Sequence, residues 1–157
     1  MAALTVIGVG SRLRGDDAIG PLLIDALSVL PDSQLELVDA GSDALSILEY
    51  LEGRDRVIIV DACCMGRDAG DLVEFDPSQI EMILHDDPLS LHGLGLAESL
   101  KMAASLYMLP PELKIIGIEP ESIQFNGSLS VPVQKALKLA VEIVHDKLNR
   151  VIQLAQA

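Results

Sequence analysis

The chain has few aromatic and few basic residues. Aromatic residues make up 3% of its 157 residues, Trp is absent, and 11 Lys and Arg stand against 24 Asp and Glu. Nucleic-acid-binding proteins present a basic surface, and many stack bases on aromatic side chains. The composition therefore argues against a nucleic-acid partner, and the formal net charge of -13 favours cationic partners instead.

Cysteines and long apolar runs are also scarce. The only cysteines are the neighbours Cys63 and Cys64, which cannot form a disulfide scaffold and are expected to be small buried hydrophobic residues. No apolar run approaches the roughly 20 residues of a membrane-spanning helix. No basic region precedes the first apolar run, as it would in a signal peptide. We therefore expect a cytoplasmic protein with no membrane partner.

Short apolar runs alternate with amphipathic segments along the chain. The runs are typical of strands buried on both faces, and the segments have helical periodicity. We predict strands at Leu4–Val9, Leu35–Val38, Arg56–Val60, Leu72–Phe75 and Leu113–Ile118. We predict helices at about 17–30, 43–51, 77–84 and 95–108, and from Val131 to beyond Leu148. The alternation predicts one α/β domain over residues 1–157, a three-layer α/β/α sandwich around a mainly parallel sheet.

Polar residues and prolines mark the expected helix ends. Asp16 is a candidate N-cap of the first helix, and Ser42 or Asp43 is a candidate cap of the second. Pro31 is expected to end the first helix, and Pro110-Pro111 to stop the fourth.

Acidic residues follow three of the predicted strands. The first strand leads to Asp17 (or Asp16), the second to Asp39 and the third to Asp61. A single Asp after a strand most often caps the next turn. Ligands of open α/β sheets, however, bind at the carboxyl ends of the strands. Three carboxylates gathered there repel one another unless a cation or a shared proton compensates, so the group predicts a site.

His92 is the strongest histidine candidate. It lies just before a predicted helix with apolar and glycine neighbours, which also suits a half-buried loop histidine. His85 ranks lower because its acidic neighbours suggest a solvated turn, and His145 is expected on the surface of the last helix. Two carboxylates and one imidazole suit a borderline divalent ion such as nickel, zinc or iron, or general acid–base chemistry.

A glycine-rich loop supports a different function. Gly8, Gly10 and Gly15 follow a strand and precede a helix, and Asp39 ends the second strand, as in dinucleotide-binding folds. The spacing is GxGxxxxG rather than GxGxxG, and acids at the helix start would repel a phosphate. A non-catalytic nucleotide-binding Rossmann-like module is therefore the alternative. A metallochaperone that binds nickel is a third hypothesis.

Five sequence blocks together resemble one protein family. The blocks are GVGSRLRGDDAIGP, VDAGS, VIIVDACCMG, HGLGLAESL and IIGIEPESI, and they span nearly the whole chain. In this combination and order they are similar to the maturation endopeptidases of nickel-iron hydrogenases. The resemblance implies a monomeric peptidase, sometimes grouped with aspartic peptidases. Such enzymes remove the C-terminal extension of the hydrogenase large-subunit precursor after nickel insertion. The resemblance also implies a twisted five-stranded sheet with one antiparallel strand. The short strand predicted at Leu72–Phe75 suits that antiparallel position.

The resemblance also assigns site residues. It implies that Asp17, Asp61 and His92 recognise the nickel and take part in catalysis, roles that the motifs do not separate. No metal is expected to stay bound to the protease, because the precursor brings the nickel. Asp39 and Gly41 match further family positions that lie beside the site or face the substrate.

Two positions depart from the usual family pattern, and a third varies within the family. Ser11 stands where Asn is usual, Ala18 stands where Gly is frequent, and Asp17 stands where some members have Glu. Ser11 can still form local hydrogen bonds, so we expect changed fine geometry and retained function. Asp is shorter than Glu, so the metal or the backbone must approach Asp17 more closely.

Overall fold

A mixed β-sheet forms the centre of the described structure. The computed structural model describes residues 2–29, 31–85 and 95–157. Their strands are β1 Leu4–Val9, β2 Leu35–Gly41, β3 Arg56–Ala62, β4 Leu72–Phe75 and β5 Glu112–Ile118. The sheet order is β2-β1-β3-β5-β4, with β4 antiparallel to β5 and the other neighbours parallel. This confirms the predicted five-stranded sheet and the antiparallel role of Leu72–Phe75.

Helices cover both faces of this sheet. They are α1 Ile19–Ser28, α2 Leu48–Leu51, α3 Ile80–Ile83, α4 Leu96–Ser105 and α5 Val131–Gln156. Short 3-10 turns at Gly15–Ala18, Ala44–Ile47 and Pro77–Gln79 precede α1, α2 and α3. None of the helices in the described ranges has the length and apolarity needed to span a membrane.

Alternate residues of the central strands supply two separate apolar cores. One core joins Val6 and Ile58 to buried residues of α1 and α5. The other joins Ile7 and Ile59 to buried residues of α2 and α4. Successive strand residues point to opposite faces, so a strand covered on both sides must be apolar almost throughout. The three-layer α/β/α sandwich predicted from the continuous apolar runs is confirmed.

The start of α1 differs from the prediction. Asp16 lies inside the 3-10 turn and does not cap the helix, whose N-cap residue is Ala18. Among the described residues, no side chain caps the start of α1 by a hydrogen bond. The prediction for Asp16 is wrong because its carboxylate binds a distant loop. Asp43, by contrast, is confirmed as a cap because its side chain accepts a hydrogen bond from Leu45 N.

Helix α4 ends before the prolines that were expected to stop it. Tyr107 has a positive φ of 57°, Tyr107 N donates to Ala104 O at 3.2 Å, and Met108 N donates to Ala103 O at 2.9 Å. This pair of bonds is the Schellman motif, in which glycine usually occupies the left-handed position. The last helical residue is therefore Ser105, and the predicted extension to residue 108 is wrong.

Replacing Tyr107 with Gly is expected to raise the free energy of unfolding by about 0.5–1 kcal/mol, because a residue with a Cβ is strained in the left-handed region. The side chain is 97% exposed, so little packing is lost. Urea unfolding of the variant and the parent measures the difference. Leu106→Gly, at a φ of -94°, is the control and is expected to lower stability. A Tyr107→Gly variant no more stable than the parent would contradict the strain argument.

Candidate active site

The structure brings the predicted acidic strand ends to one edge of the sheet. β1 lies between β2 and β3, with Gly8 paired to Asp39 on one side and to Val60 on the other. Asp39 and Asp61 lie inside β2 and β3, which extend beyond their predicted ends. Asp17 lies in the 3-10 turn that follows β1. The adjacency that sequence reasoning required for a common site is therefore present for these strands.

The loop after β1 positions Asp17. The backbone N–H of Ser11 donates to Asp17 Oδ2 at 2.8 Å, and Asp17 is only 7% exposed. Gly10 has a φ of 140°, and a Cβ there would collide with the carbonyl oxygen of Asp17. The close approach thus requires glycine at this position. The serine at position 11 serves the site through its backbone, and its Oγ accepts a hydrogen bond from Leu13 N at 3.3 Å.

A buried thiol lies among the carboxylates. Burial raises the pKa of Cys63 well above its usual value, and the negative charges of Asp61, Glu119 and Asp17 raise it further. Two of these acids lie next to Cys63 in the fold: Asp61 is two residues before it, and Glu119 follows Ile118, whose carbonyl oxygen accepts a hydrogen bond from Cys63 N at 3.0 Å. The prediction of a small buried hydrophobic residue is confirmed for Cys63, whereas Cys64 is only half-buried.

Glu119 is a buried acid that sequence reasoning did not select. It directly follows β5 and is 8% exposed. Its carboxylate accepts hydrogen bonds from Met65 N at 2.7 Å and from Arg67 N at 3.1 Å, so it holds the loop that follows β3. The rule that selected Asp39 and Asp61, an acid at the carboxyl end of a parallel strand, would have found it.

Asp39 is compensated by a side chain of the protein itself. Arg12 Nη2 lies 2.8 Å from Asp39 Oδ2, and Arg12 Nη1 lies 2.6 Å from Asp25 Oδ2. Hydrogen bonds to both carboxylates raise the pKa of Arg12, and the same contact lowers the pKa of Asp25. Gly41, at a φ of 66°, donates its N–H to Asp39 Oδ1 at 2.9 Å. Asp39 and Gly41 are therefore held in a fixed arrangement against the loop after β1, where Gly10 N donates to Gly41 O at 2.8 Å.

Asp16 connects the loop after β1 to the loop after β5. Its Oδ2 accepts from Glu121 N at 2.8 Å, Ser122 N at 3.1 Å and Ser130 Oγ at 2.9 Å, and its Oδ1 accepts from Ser130 N at 2.7 Å. The side chain is almost completely buried, with Asp16 1% exposed. This neighbour of Asp17 therefore supports the site by fixing two loops.

The histidine predictions have mixed outcomes. His92 lies outside the described residues. His85 is exposed, as predicted, but it lies against the loop after β3. Its backbone N–H donates to Cys64 O at 2.8 Å, and a Cβ on Gly66 would collide with the imidazole ring. His145 is half-buried rather than fully on the surface. Within residues 2–29, 31–85 and 95–157, no group of three or more His, Cys, Asp or Glu is arranged to hold a metal ion.

The glycines of the first loop have a packing role. A Cβ on Gly8 would collide with Gly20 O of α1, and a Cβ on Gly15 would lie 2.7 Å from Ser122 O. These glycines allow α1 and the loop after β5 to approach the sheet closely. The 3-10 turn that leads into α1 also carries two buried carboxylates, at positions 16 and 17, which oppose phosphate binding. The loop therefore gives the nucleotide-binding alternative no support.

Comparison with known proteins assigns this fold and chain to a family. The family model for hydrogenase maturation proteases matches residues 23–147. The Hydrogenase 2 maturation protease of Escherichia coli K12 is 31% identical over 144 residues, covering 90% of this chain and 87% of that protein.

Solved structures agree with this assignment. The hydrogenase maturating endopeptidase HybD from E. coli has a TM-score of 0.79 at 28% identity, covering 96% of this chain and 93% of that one. A hydrogenase 2 maturation peptidase from Thaumarchaeota archaeon SCGC_AB-539-E09 has a TM-score of 0.69 at 31% identity, covering 93% and 97%. This chain belongs to the hydrogenase maturation protease family and is a peptidase.

Proposed function

We propose that this chain is a cytoplasmic, monomeric endopeptidase that removes the C-terminal extension of a nickel-iron hydrogenase large-subunit precursor after nickel insertion. Family membership supports the peptidase class, and the names of the relatives support hydrogenase maturation as the setting. The precursor brings the nickel, and Asp17, Asp61 and His92 recognise it.

The observation that carries this proposal is the pair of buried carboxylates at neighbouring strand ends. Asp17 and Asp61 are each 7% exposed. Asp17 lies in the 3-10 turn that follows β1, and Asp61 lies near the end of β3. Because β1 pairs with β3, with Gly8 beside Val60, both acids stand at the same edge of the sheet. Carboxylate oxygens brought together in this way favour a divalent cation, and an imidazole completes a donor set that suits nickel.

The reaction requires the addition of water across a peptide bond. A base takes a proton from the water, its oxygen bonds to the carbonyl carbon, and the amine leaves after it receives a proton. A carboxylate such as Asp17 or Asp61 can act as the base. A metal ion on the substrate can polarise the carbonyl or the water as a Lewis acid. The acids therefore have two available roles, metal recognition and proton transfer.

Incubation with the precursor in two forms tests the proposal. We expect the purified protein to remove the tail from nickel-loaded precursor and to leave nickel-free precursor intact, as followed by mass spectrometry. Equal cutting of both forms would contradict the proposed recognition of nickel but would still support the endopeptidase activity. Cutting of neither form would contradict the proposed function.

Nickel binding by the protein alone separates the protease from a metallochaperone. Because the proposal places the nickel on the precursor, we expect only weak binding of nickel in calorimetric titration. Tight binding together with no cutting would favour the metallochaperone.

A further inference from the structure

We propose that Leu13 and Phe125 form an apolar lip beside the candidate active site, and that the lip binds an apolar segment of the polypeptide substrate. This inference rests on the proposed endopeptidase function. It adds a surface, and a chemical preference for the substrate, to the acids already described. Leu13 lies in the loop after β1, and Phe125 lies in the loop after β5.

The two side chains are exposed although their loops are joined. Leu13 is 57% exposed and Phe125 is 63% exposed. Asn126 N, next to Phe125, donates to Leu13 O at 2.7 Å, so the two loops lie against each other. When a partner covers large apolar side chains that are exposed on adjacent loops, their apolar surface is removed from water, which favours binding.

The lip lies close to the candidate catalytic acid. Leu13 N donates to Ser11 Oγ, and Ser11 N donates to Asp17 Oδ2 at 2.8 Å. Leu13 is therefore two residues from the backbone group that holds the Asp17 carboxylate. A polypeptide that reaches Asp17 from this side passes the lip, which is why we assign the surface to the substrate.

The lip is held in place before any substrate arrives. Asp16 binds the loop after β5 through Ser122 N and Ser130 N. A Cβ on Gly127 would lie 3.3 Å from Gly15 Cα, so the two loops pack closely. Loops that are already ordered lose little conformational entropy on binding, so less of the free energy gained from apolar contacts is offset by that loss.

Kinetics of tail removal test the lip. The double variant Leu13→Ser/Phe125→Ser is expected to raise KM for nickel-loaded precursor about 10- to 100-fold, since two apolar side chains lose their burial against substrate. We expect kcat to change less than about twofold, because the acids are untouched. Circular dichroism and urea unfolding confirm that the variant is folded.

The matched control replaces two exposed leucines on α5. Leu139 and Leu154 are 47% and 72% exposed, a range that spans the lip residues. Leu139→Ser/Leu154→Ser is expected to keep the parent's KM. An unchanged KM in the lip variant would overturn the lip and leave the endopeptidase function intact. An equal rise in both variants would also overturn it, because the effect would then follow general surface polarity.

Two further measurements separate the remaining outcomes. If the parent does not cut, the proposed function fails, and the lip is judged by calorimetric binding of the nickel-loaded precursor to the parent and the lip variant. Equal affinity would overturn it, and weaker binding by the variant would support it. If light scattering shows a parent dimer that the lip variant loses, the lip is a contact between copies and the assignment to substrate is overturned.

Discussion

Replacing Asp17 with Asn is expected to lower kcat/KM for tail removal from nickel-loaded precursor by about 100-fold or more. The amide has nearly the same shape, and its oxygen can still accept the Ser11 N–H, but it has neither the charge for the metal nor the basicity for the water. General acid–base catalysis alone contributes about 10²–10⁴-fold, so the loss of either role gives an effect of this size. Asp17 is buried, so bulk water replaces the lost charge poorly.

Matched substitutions give this expectation its specificity. Asp61→Asn is expected to reduce activity similarly, whereas Asp146→Asn, at an exposed position of α5, is expected to leave it unchanged. All variants should retain the parent's circular dichroism. Full activity in Asp17→Asn and in Asp61→Asn would remove both acids from the proposed site.

The histidines provide a second comparison at the same site. His92→Ala is expected to reduce tail removal. His85→Ala is the control and is expected to keep the parent's activity, because His85 is exposed beside the loop that follows β3. The reverse result would replace His92 by His85 as the imidazole that recognises the nickel.

Replacing Asp16 with Ala is expected to lower the free energy of unfolding by about 3–5 kcal/mol. The substitution removes four accepted hydrogen bonds and leaves three part-buried backbone N–H groups of the loop after β5 without their acceptor. Hydrogen bonds to a charged group contribute about 1.5–3 kcal/mol each, and they are not additive within one network. Urea unfolding followed by circular dichroism measures the change.

A surface aspartate and a milder substitution control for this result. Asp43→Ala removes one N-cap bond, to Leu45 N, and is expected to cost about 1 kcal/mol. If Asp16→Ala does not fold, Asp16→Asn is expected to be folded and destabilised, because the amide accepts at one atom only. A loss for Asp16→Ala no larger than that for Asp43→Ala would contradict the role of Asp16 as the connection between the two loops.

The apolar pattern predicted most of the fold. Leu4–Val9 and Arg56–Val60 are nearly continuous apolar runs, and such strands are stable only with both faces covered. This is why the three layers were correctly predicted. The ends of elements were less predictable: α4 ends at Ser105 because Tyr107, two residues on, adopts the left-handed conformation, which no residue preference indicates.

The candidate site was predicted only in part. Asp17, Asp39 and Asp61 were selected because parallel strands present their carboxyl ends at one edge, and β2, β1 and β3 are adjacent as that argument needs. Compensation of Asp39 by Arg12 was missed, because a salt bridge depends on how a loop folds back and not on residue spacing. Glu119 was missed although the same strand-end rule applies to it.

The sequence by itself determined which segments form strands, and that acids stand at or just after the ends of three of them. These are local patterns, set by the burial of apolar side chains and by chain direction. Only the tertiary structure decided the different roles of the neighbours Asp16 and Asp17. The partners of Asp16 lie 105 to 114 residues away along the chain, so only the packed fold makes Asp16 a connection between loops. Asp17 is buried beside it, at the edge of the sheet that Asp61 shares.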